Sequence, residues 1–154
     1  MSGRRSAGLL LYRIRDGRPE VLIGHMGGPF WSKKDAGAWS VFKGEYDDGE
    51  EPLVAARREF EEETGSPPPD GRTLALGEVR QSSGKRVVAW AVEGDFDPSA
   101  LASNTFTIEW PPRSGRQAEF PEIDRAEWFG LDTARRKLVR AQAAFLDALE
   151  RELG

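Results

Sequence analysis

The sequence predicts an α+β domain in which a β-sheet is flanked by helices. Two strand-like stretches, residues 6–17 and 18–28, meet at the turn "RDGRP". An amphipathic stretch begins near Pro52 and stops at Gly65, as helices commonly do. Apolar residues near the C-terminus also repeat with a helical period. The chain of 154 residues is therefore expected to contain both strands and helices. That length is typical of one domain, and we expect one domain across residues 1–154.

The N-terminal half contains the most distinct elements. The first strand is apolar from Ala7 to Tyr12, which is typical of a strand covered on both faces. "GGPFWSKKDAG", residues 27–37, predicts a glycine-rich loop, and residues 38–42 predict a short strand. The acidic loop "GEYDDG" then leads into the helix, where Pro52 suits the first turn because its missing N–H group would have no partner there.

The C-terminal half has a weaker pattern. Residues 73–81 and 85–94 predict a hairpin, and residues 105–110 predict one more strand. Residues 111–124 predict a long loop. "AEWFGL" is then expected to enter a helical region, whose apolar residues follow a helical period: Leu138, Ala141, Phe145, Ala148 and Leu149.

The composition excludes several chemistries. The chain has no cysteine, which excludes disulfides, zinc–thiolate sites, iron–sulfur clusters and thiol catalysis, and makes a reducing cytoplasm the expected location. His25 is the only histidine, which argues against a Ser-His-Asp triad. The formal net charge of -4 argues against binding to duplex nucleic acid. No apolar run is long enough to span a bilayer, so no membrane association is expected.

Three carboxylates share one face of the predicted helix. At about 100° per residue, Glu62 and Glu63 lie roughly 60° and 40° to either side of Glu59. All three lie near the helix C-terminus, where the helix dipole disfavours negative charge. One interpretation is a solvated acidic face, as for most charge runs. The other is a cluster that binds hard divalent cations, because Mg2+ and Mn2+ prefer carboxylate oxygens.

The stretch from Gly44 to Gly65 resembles the signature of the Nudix hydrolases. That signature reads Gly, five residues, Glu, seven residues, Arg-Glu-hydrophobic, one residue, Glu-Glu, one residue and Gly-hydrophobic. The positions that match are Gly44, Glu50, Arg58, Glu59, Phe60, Glu62, Glu63 and Gly65. Ser66 departs from the pattern, where the family usually has an aliphatic residue, and this change leaves the chemical positions untouched.

The likeness extends over most of the chain. "SAGLLLY", "AWSVFKGE", "GEVRQ" and "EWFGLDTARRKL" resemble other Nudix-domain elements. "FWSKKDAGAWS", "NTFTIEWPPRSGR" and "FPEIDRAEWF" resemble one bacterial branch of predicted nucleoside triphosphate pyrophosphohydrolases. The resemblance implies an α/β/α sandwich with a mixed sheet, in which the signature forms a loop, a helix and a loop. Dimers are common in the family, so a homodimer is included among the expectations.

The resemblance also implies a reaction. It is hydrolysis of a nucleoside diphosphate linked to another moiety, by attack of water at phosphorus with Mg2+ or Mn2+. The implied metal ligands are Glu59, Glu62, Glu63 and the carbonyl of Gly44. Arg58 would orient a catalytic glutamate through an ion pair, and Glu50 would steady the loop or a metal-bound water.

The resemblance identifies the general base and the substrate contacts less closely than the metal ligands. Relatives often place the base outside the signature, so Glu119 and Glu109 are candidates, with Glu62 as an alternative inside it. Trp31 or Trp110 could stack on a nucleobase. Basic side chains in loops could contact phosphates: Lys33, Lys34, Lys43, Arg80, Lys85, Arg113 and Arg116.

Three functions compete. The first is a pyrophosphohydrolase, with nucleoside triphosphates or dinucleoside polyphosphates as the favoured substrates. Lys43-Gly44 resembles the corresponding residues in hydrolases of dinucleoside polyphosphates. The second is a catalytically silent Nudix-fold sensor that binds a nucleotide, although such domains usually have a damaged signature. The third, messenger RNA decapping, is disfavoured by the negative charge and the single domain.

Overall fold

The computed structural model describes residues 5–154, and nine strands and three α-helices lie in that range. The strands are β1 (Arg5–Arg15), β2 (Arg18–Met26), β3 (Trp39–Ser40), β4 (Phe42–Glu45), β5 (Thr73–Arg80), β6 (Arg86–Glu93), β7 (Thr105–Glu109), β8 (Gln117–Pro121) and β9 (Ile123–Gly130). The helices are α1 (Pro52–Thr64), α2 (Leu131–Lys137) and α3 (Ala143–Leu153). In this range no helix is both long enough and apolar enough to cross a membrane.

Seven of the strands form one mixed sheet, and β7 and β8 pair separately with each other. The main sheet has the order β3-β2-β1-β6-β5, with β1 and β6 parallel. β4 pairs with the first half of β1, and β9 pairs with β2. Ser6 on β1 is consequently paired with both Glu45 at the end of β4 and Val87 near the start of β6. These strand ends form the floor of the site described below.

The two faces of β1 point into two separate cores. Leu9 and Leu11 are buried against α1, whereas Leu10 and Tyr12 are buried against α2 and α3. Side chains alternate between the faces of a strand, so a continuous apolar run serves both cores. The mixed sheet between helices confirms the predicted α+β class and the α/β/α sandwich.

Helix α1 has the predicted boundaries. Pro52 occupies its first turn, and Gly65 ends it in the left-handed conformation with φ of 81°, donating its N–H to the Glu61 carbonyl at 2.8 Å. Phe60 anchors the helix on the sheet, since its ring meets the ring of Phe42 edge-on at a centroid distance of 5.5 Å. This contact holds the acidic face of the helix against the end of β4.

Two predictions for the C-terminal half are wrong. Residues 111–124 do not form one loop, because β8 pairs with β7 and β9 begins at Ile123. "AEWFG" is not the entrance to a helix but belongs to β9, which completes the open hydrogen-bonding edge of β2. Both segments form strands because they pair with other strands. Such pairing leaves no periodic pattern in the local sequence.

Two predicted elements are interrupted. The strand predicted at residues 38–42 breaks at Val41, whose N–H donates to the Gln142 side chain at 2.9 Å instead of to a strand. The predicted C-terminal helical region breaks at Leu138, which adopts an extended conformation with ψ of 150°. The next N–H, of Val139, donates to the Trp39 carbonyl at 2.8 Å. These contacts tie the C-terminal helices to β3.

Candidate active site

A cavity of about 410 Å3 lies between the C-terminal end of α1 and the sheet. Its walls come from α1, from the ends of β1 and β4, from the turn before β6 and from the segments that flank the β7–β8 hairpin. The lining residues are Ser6, Lys43, Gly44, Glu45, Glu59, Glu62, Glu63, Lys85, Asn104 and Glu122. All four metal ligands implied by the sequence resemblance are therefore brought together in one place.

Arg58 organises the carboxylates at the mouth of this cavity. Its Nε and Nη2 donate to the two oxygens of Glu50, each at 2.9 Å, which is the fork geometry that arginine forms with a carboxylate. Its Nη1 donates to Glu59 at 2.8 Å and to Glu62 at 3.1 Å. The bound carboxylates raise the pKa of the Arg58 guanidinium, and Arg58 lowers the pKa of Glu50. The four side chains form one charged network along the helix.

Glu59 is held between Arg58 and the backbone of β4. Only 8% of Glu59 is exposed, and burial is the largest cause that raises the pKa of its carboxyl group, opposed by the hydrogen bond from Arg58. The β4 residue it faces is Gly44, where a β-carbon would lie 2.0 Å from the Glu59 Cδ. The first glycine of the signature thus allows the backbone to lie against a signature carboxylate.

Glu63 is the most strongly perturbed acid of the site. It is 9% exposed, and its Oε2 is buried with no hydrogen-bond partner among residues 5–154. Burial, followed by the charges of Glu122 and Glu59, raises the pKa of Glu63 to about 8. An ionised carboxylate in this position requires a cation, because a buried charge without a partner is costly.

The carbonyl groups at the end of α1 are covered by a neighbouring segment. The N–H of Ala102 donates to the Thr64 carbonyl at 2.8 Å, and the N–H of Asn104 donates to the Glu62 carbonyl at 3.1 Å. These bonds satisfy groups that a helix end normally leaves free. They also fix the segment before β7 beside the carboxylates, which is why Asn104 lines the cavity.

Glu122 is a site residue that the sequence interpretation missed. It follows β8, and its N–H donates to the Asn104 carbonyl at 2.9 Å. Its carboxylate lines the cavity and is the leading charge that raises the pKa of Glu63. The motif "FPEID" was part of the predicted long loop, and only the β7–β8 pairing, which returns Pro121 to Thr105, brings it to the site.

The residues of the cavity fit a divalent cation. Within residues 5–154, no three acidic or histidine side chains already surround a single point as metal ligands. Arg58 donates to both Glu59 and Glu62. The unpartnered oxygen of Glu63 and the close approach of Gly44 to Glu59 nevertheless supply a buried set of oxygens. Carboxylate and carbonyl oxygens are the ligands that Mg2+ and Mn2+ favour.

Two lysines also line the cavity. Lys43, on β4, lies beside Gly44, and Lys85 lies at the end of the turn before β6. Burial and then the nearby charge of Lys85 lower the pKa of the Lys43 ammonium. Lys85 contacts Glu45 at 3.5 Å, which is a loose pairing. The cavity therefore contains two lysines together with its carboxylates.

The remaining predicted residues lie outside the cavity lining. Trp31 packs partly against the core on the α2–α3 face, and the Lys34 ammonium lies 5.2 Å from its ring. Arg80 is exposed at the end of β5, and Arg113 and Arg116 are exposed in the loop that joins β7 to β8. Their contacts with a substrate stay predictions.

The acids predicted outside the signature also lie beyond this lining. Glu119 is exposed on β8, opposite Thr107. Glu109 accepts the N–H groups of Arg113 at 3.2 Å and Gly115 at 3.0 Å, so it closes the loop between the hairpin strands. A catalytic role for either acid stays a prediction, and Glu122 is the acid from outside the signature that lines the cavity.

Comparison with known proteins agrees with this geometry. A family model of the NUDIX domain matches residues 3–149, so the chain belongs to the NUDIX domain family. Membership of this family supports a pyrophosphohydrolase activity. A comparison with curated protein sequences gives no match.

Solved structures share the fold at low sequence identity. The Ap4A hydrolase of C. elegans, in a binary complex, is 21% identical with a TM-score of 0.66, and 97% of each chain is covered. The NUDIX domain of Shewanella oneidensis NrtR, complexed with ADP ribose, is 15% identical with a TM-score of 0.66, covering 100% of this chain and 90% of that one. The E. coli ORF135 protein is 20% identical with a TM-score of 0.61, covering 100% and 93%.

Proposed function

We propose that the protein hydrolyses a pyrophosphate bond in a nucleoside diphosphate linked to another moiety, using Mg2+, with Mn2+ as a substitute. Nucleoside triphosphates and dinucleoside polyphosphates are the favoured substrates. The observation that carries the proposal is the buried Glu63 oxygen without a partner, which lies in one cavity with Glu59, Glu62 and the backbone of Gly44. This set of oxygens needs a cation, and a polyphosphate needs the same cation to approach an acidic wall.

The metal would be held by four groups: Glu59, Glu62, Glu63 and the carbonyl of Gly44. When bound, the ion neutralises phosphate oxygens and lowers the pKa of a coordinated water. Arg58 keeps Glu59 and Glu62 oriented by a hydrogen bond to each, and its two-pronged contact with Glu50 keeps Arg58 in place. Arg58 is thus a positioning residue.

Glu122 is the proposed general base. It enters the cavity from a different element than α1, and its exposed position leaves it open to solvent water. A carboxylate outside the metal-holding set can accept the proton of the attacking water while Glu59 and Glu63 stay ionised. Glu119, Glu109 and Glu62 are the alternatives that the resemblance implies.

Two structural relatives support a nucleotide as the substrate. The solved neighbours include a hydrolase of Ap4A and a domain complexed with ADP ribose. Lys43 and Lys85 line the cavity as candidate phosphate contacts. Trp31, Arg80, Arg113 and Arg116 would contact only those parts of a nucleotide that extend beyond the cavity.

A mass-spectrometric product screen tests the proposal. Nucleoside triphosphates, dinucleoside polyphosphates, nucleotide sugars and NAD are incubated with Mg2+ and the wild-type protein, in parallel with Glu63→Gln. We expect turnover of one class that Glu63→Gln lacks and that EDTA abolishes. Metal-dependent binding without turnover of any substrate would contradict the proposal and favour a sensor instead.

A further inference from the structure

His25 is a buried side chain that the proposed reaction does not use. It is the only histidine of the chain and is 4% exposed near the end of β2. Its Nδ1 lies 2.8 Å from the Asp124 carboxylate, and its Nε2 lies 2.6 Å from the Lys34 carbonyl oxygen. The ring also packs against Trp39 in a T-shaped arrangement, with 5.2 Å between the centroids. Each ring nitrogen therefore faces an oxygen atom.

Both of these oxygen atoms only accept hydrogen bonds. A carbonyl oxygen and an ionised carboxylate have no proton to donate. A neutral imidazole carries a proton on one nitrogen and donates once, whereas an imidazolium donates from both nitrogens. Imidazole is a stronger base than carboxylate, so a proton shared by the pair resides on His25. The contacts with Asp124 and Lys34 can therefore form together only when the His25 ring is a cation.

Asp124 reaches the His25 ring because of a β-bulge. The pairing of β2 with β9 shifts by one residue beyond His25, which leaves Asp124 as an extra residue of β9. A bulge re-aims a side chain relative to the regular strand. The Asp124 side chain remains 33% exposed, so water can solvate the part of the carboxylate that does not face the ring.

The Nε2 contact fixes the glycine-rich loop, residues 27–37. Lys34 lies in the second half of this loop, and its ammonium lies 5.2 Å from the centroid of the Trp31 ring. At the start of the loop, the Gly27 N–H donates to the carbonyl of Glu122 at 2.9 Å. The loop that contains a candidate nucleobase contact is therefore joined to the segment that carries the proposed base.

The other charged groups around His25 lie on the far sides of Trp39. The Arg125 guanidinium lies 5.0 Å and the Lys137 ammonium 5.6 Å from the centroid of the Trp39 ring, whose Nε1 donates to Asp35 at 2.8 Å. Hydrogen bonds from Lys137 and then from Trp39 lower the pKa of Asp35, which therefore stays ionised. Arginine and lysine stay cationic over the same range. Histidine is the side chain among them that changes its charge near neutral pH.

We propose that the His25 imidazolium is a pH-dependent link that holds the loop 27–37 against β9 and so positions the loop for substrate binding. When the ring loses a proton, the proton on Nδ1 stays, because the charged carboxylate of Asp124 is the stronger acceptor. Nε2 then presents a lone pair to the Lys34 carbonyl, so this contact becomes repulsive and the loop is released. His25 is a positioning residue, and its effect on substrate affinity rests on the proposed function.

Nitrogen NMR of the single histidine tests the link without metal or substrate. Spectra of the wild type and of Asp124→Asn are compared at about pH 5.5 and about pH 8.5. We expect the wild type to carry protons on both ring nitrogens at the lower pH and on Nδ1 alone at the higher pH. Asp124→Asn should carry its proton on Nε2 at the higher pH, because the asparagine amide can donate to Nδ1 while Nε2 donates to the Lys34 carbonyl. Both contacts then form on a neutral ring, so the link no longer depends on pH.

Hydrogen exchange and kinetics measure the consequence for the loop. After correction for the intrinsic pH dependence, protection of the Lys34 N–H, which donates to the Trp31 carbonyl, should fall roughly tenfold in the wild type between these pH values and stay constant in Asp124→Asn. The KM of the wild type should rise about three- to tenfold relative to that of Asp124→Asn, with kcat changed less than about twofold. Glu127→Gln, which removes an acid from the same strand, is the matched control and should behave like the wild type.

Three results would overturn the inference. A proton on Nε2 of the wild type at the higher pH is one, and the same protonated nitrogen in the wild type and Asp124→Asn is another. Loop protection that does not change with pH is the third. The Asp124 side chain is partly exposed, so Asp124→Asn is expected to fold, and the wild-type spectrum is decisive even without it. Because the NMR and exchange measurements need no turnover, a negative product screen would contradict the proposed function and leave this test intact.

Discussion

The α-carbon of Gly44 lies directly against the carboxylate of Glu59. A β-carbon at residue 44 would lie 2.0 Å from both the Cδ and the Oε2 of Glu59, and 2.4 Å from its Oε1. Glu59 is buried and bound to Arg58 at 2.8 Å, so its carboxylate cannot move aside without breaking that ion pair. Glycine is therefore required here for close approach.

Gly44→Ala is expected to displace the Glu59 carboxylate. The added methyl group should lower the free energy of unfolding by about 1–3 kcal/mol, as overpacking commonly does. A misplaced carboxylate should also lower kcat by roughly 100-fold. Urea denaturation and steady-state kinetics on the substrate found in the product screen measure both effects.

Gly49→Ala is the matched control for that variant. Gly49 lies in the same acidic loop, and nothing lies within 4 Å of a β-carbon at that position. We expect wild-type stability and activity for it. If Gly44→Ala behaves like Gly49→Ala, the close approach of Gly44 to Glu59 has no functional consequence.

Arg58→Lys is expected to keep the positive charge at residue 58 but to lose the two-pronged hydrogen bonding of the guanidinium. Lysine cannot form the two-pronged contact with Glu50 while also donating to Glu59 and Glu62. The carboxylates should then lose their fixed orientation, and kcat should fall by about 10- to 100-fold with a smaller change in KM. Kinetics at saturating Mg2+ measure this change.

Arg57→Lys provides the comparison on the same helix. Arg57 donates to the Pro69 carbonyl at 3.3 Å and to Asp70 at 3.0 Å, on the side away from the cavity. Its substitution should leave kcat unchanged. A similar loss in both variants would mean that helix stability, and not the orientation of the carboxylates, explains the effect of Arg58→Lys.

Local spacing explains how much of the site could be predicted. Glu59, Glu62 and Glu63 lie on one helix, where a fixed rotation per residue places side chains on a face without any knowledge of the rest of the fold. Pro52 and Gly65 likewise set the ends of α1 through the conformation of their own backbone. Residues of this kind were placed correctly, and so were the hairpin of β1 and β2 and the hairpin of β5 and β6.

Long-range pairing explains what could not be predicted. Glu122 lies at the site because β8 returns alongside β7 and because the Glu122 N–H binds Asn104, which is held by the end of α1. β9 is a strand because β2 has a free edge to pair with. Ser6 lies opposite Glu45 through the pairing of β1 with β4. These contacts join residues far apart in sequence, where no periodic pattern records them.

The stability of the metal-free protein should depend on Glu63. Its pKa is raised from its ordinary value of 4.5 to about 8, so the folded state holds a proton that the unfolded state releases between these values. The free energy of unfolding should consequently fall as pH rises from about 5 to about 8, at about 1.4 kcal/mol per pH unit at most. Urea denaturation in EDTA across this range measures the slope.

Glu63→Gln should flatten that slope because glutamine does not titrate. Glu61→Gln, an exposed acid on the same helix, should retain the wild-type slope. Mg2+ added at pH 8 should restore stability to the wild type and have little effect on Glu63→Gln. Equal slopes for the wild type and Glu63→Gln would contradict the assignment of Glu63 as the acid with the raised pKa.

Two matched variants test whether Glu122 or Glu119 is the general base. Glu122→Gln keeps the shape of the side chain but cannot accept a proton, so kcat should fall by about 100- to 10,000-fold, the usual range for loss of general-base catalysis. Glu122 also raises the pKa of Glu63, so its removal should lower that pKa, while the loss of its negative charge should weaken Mg2+ binding. Calorimetry with Mg2+ alone detects this second effect without turnover. Should Glu119→Gln lose activity while Glu122→Gln retains it, the base is Glu119 on β8, one of the candidates that the resemblance implies.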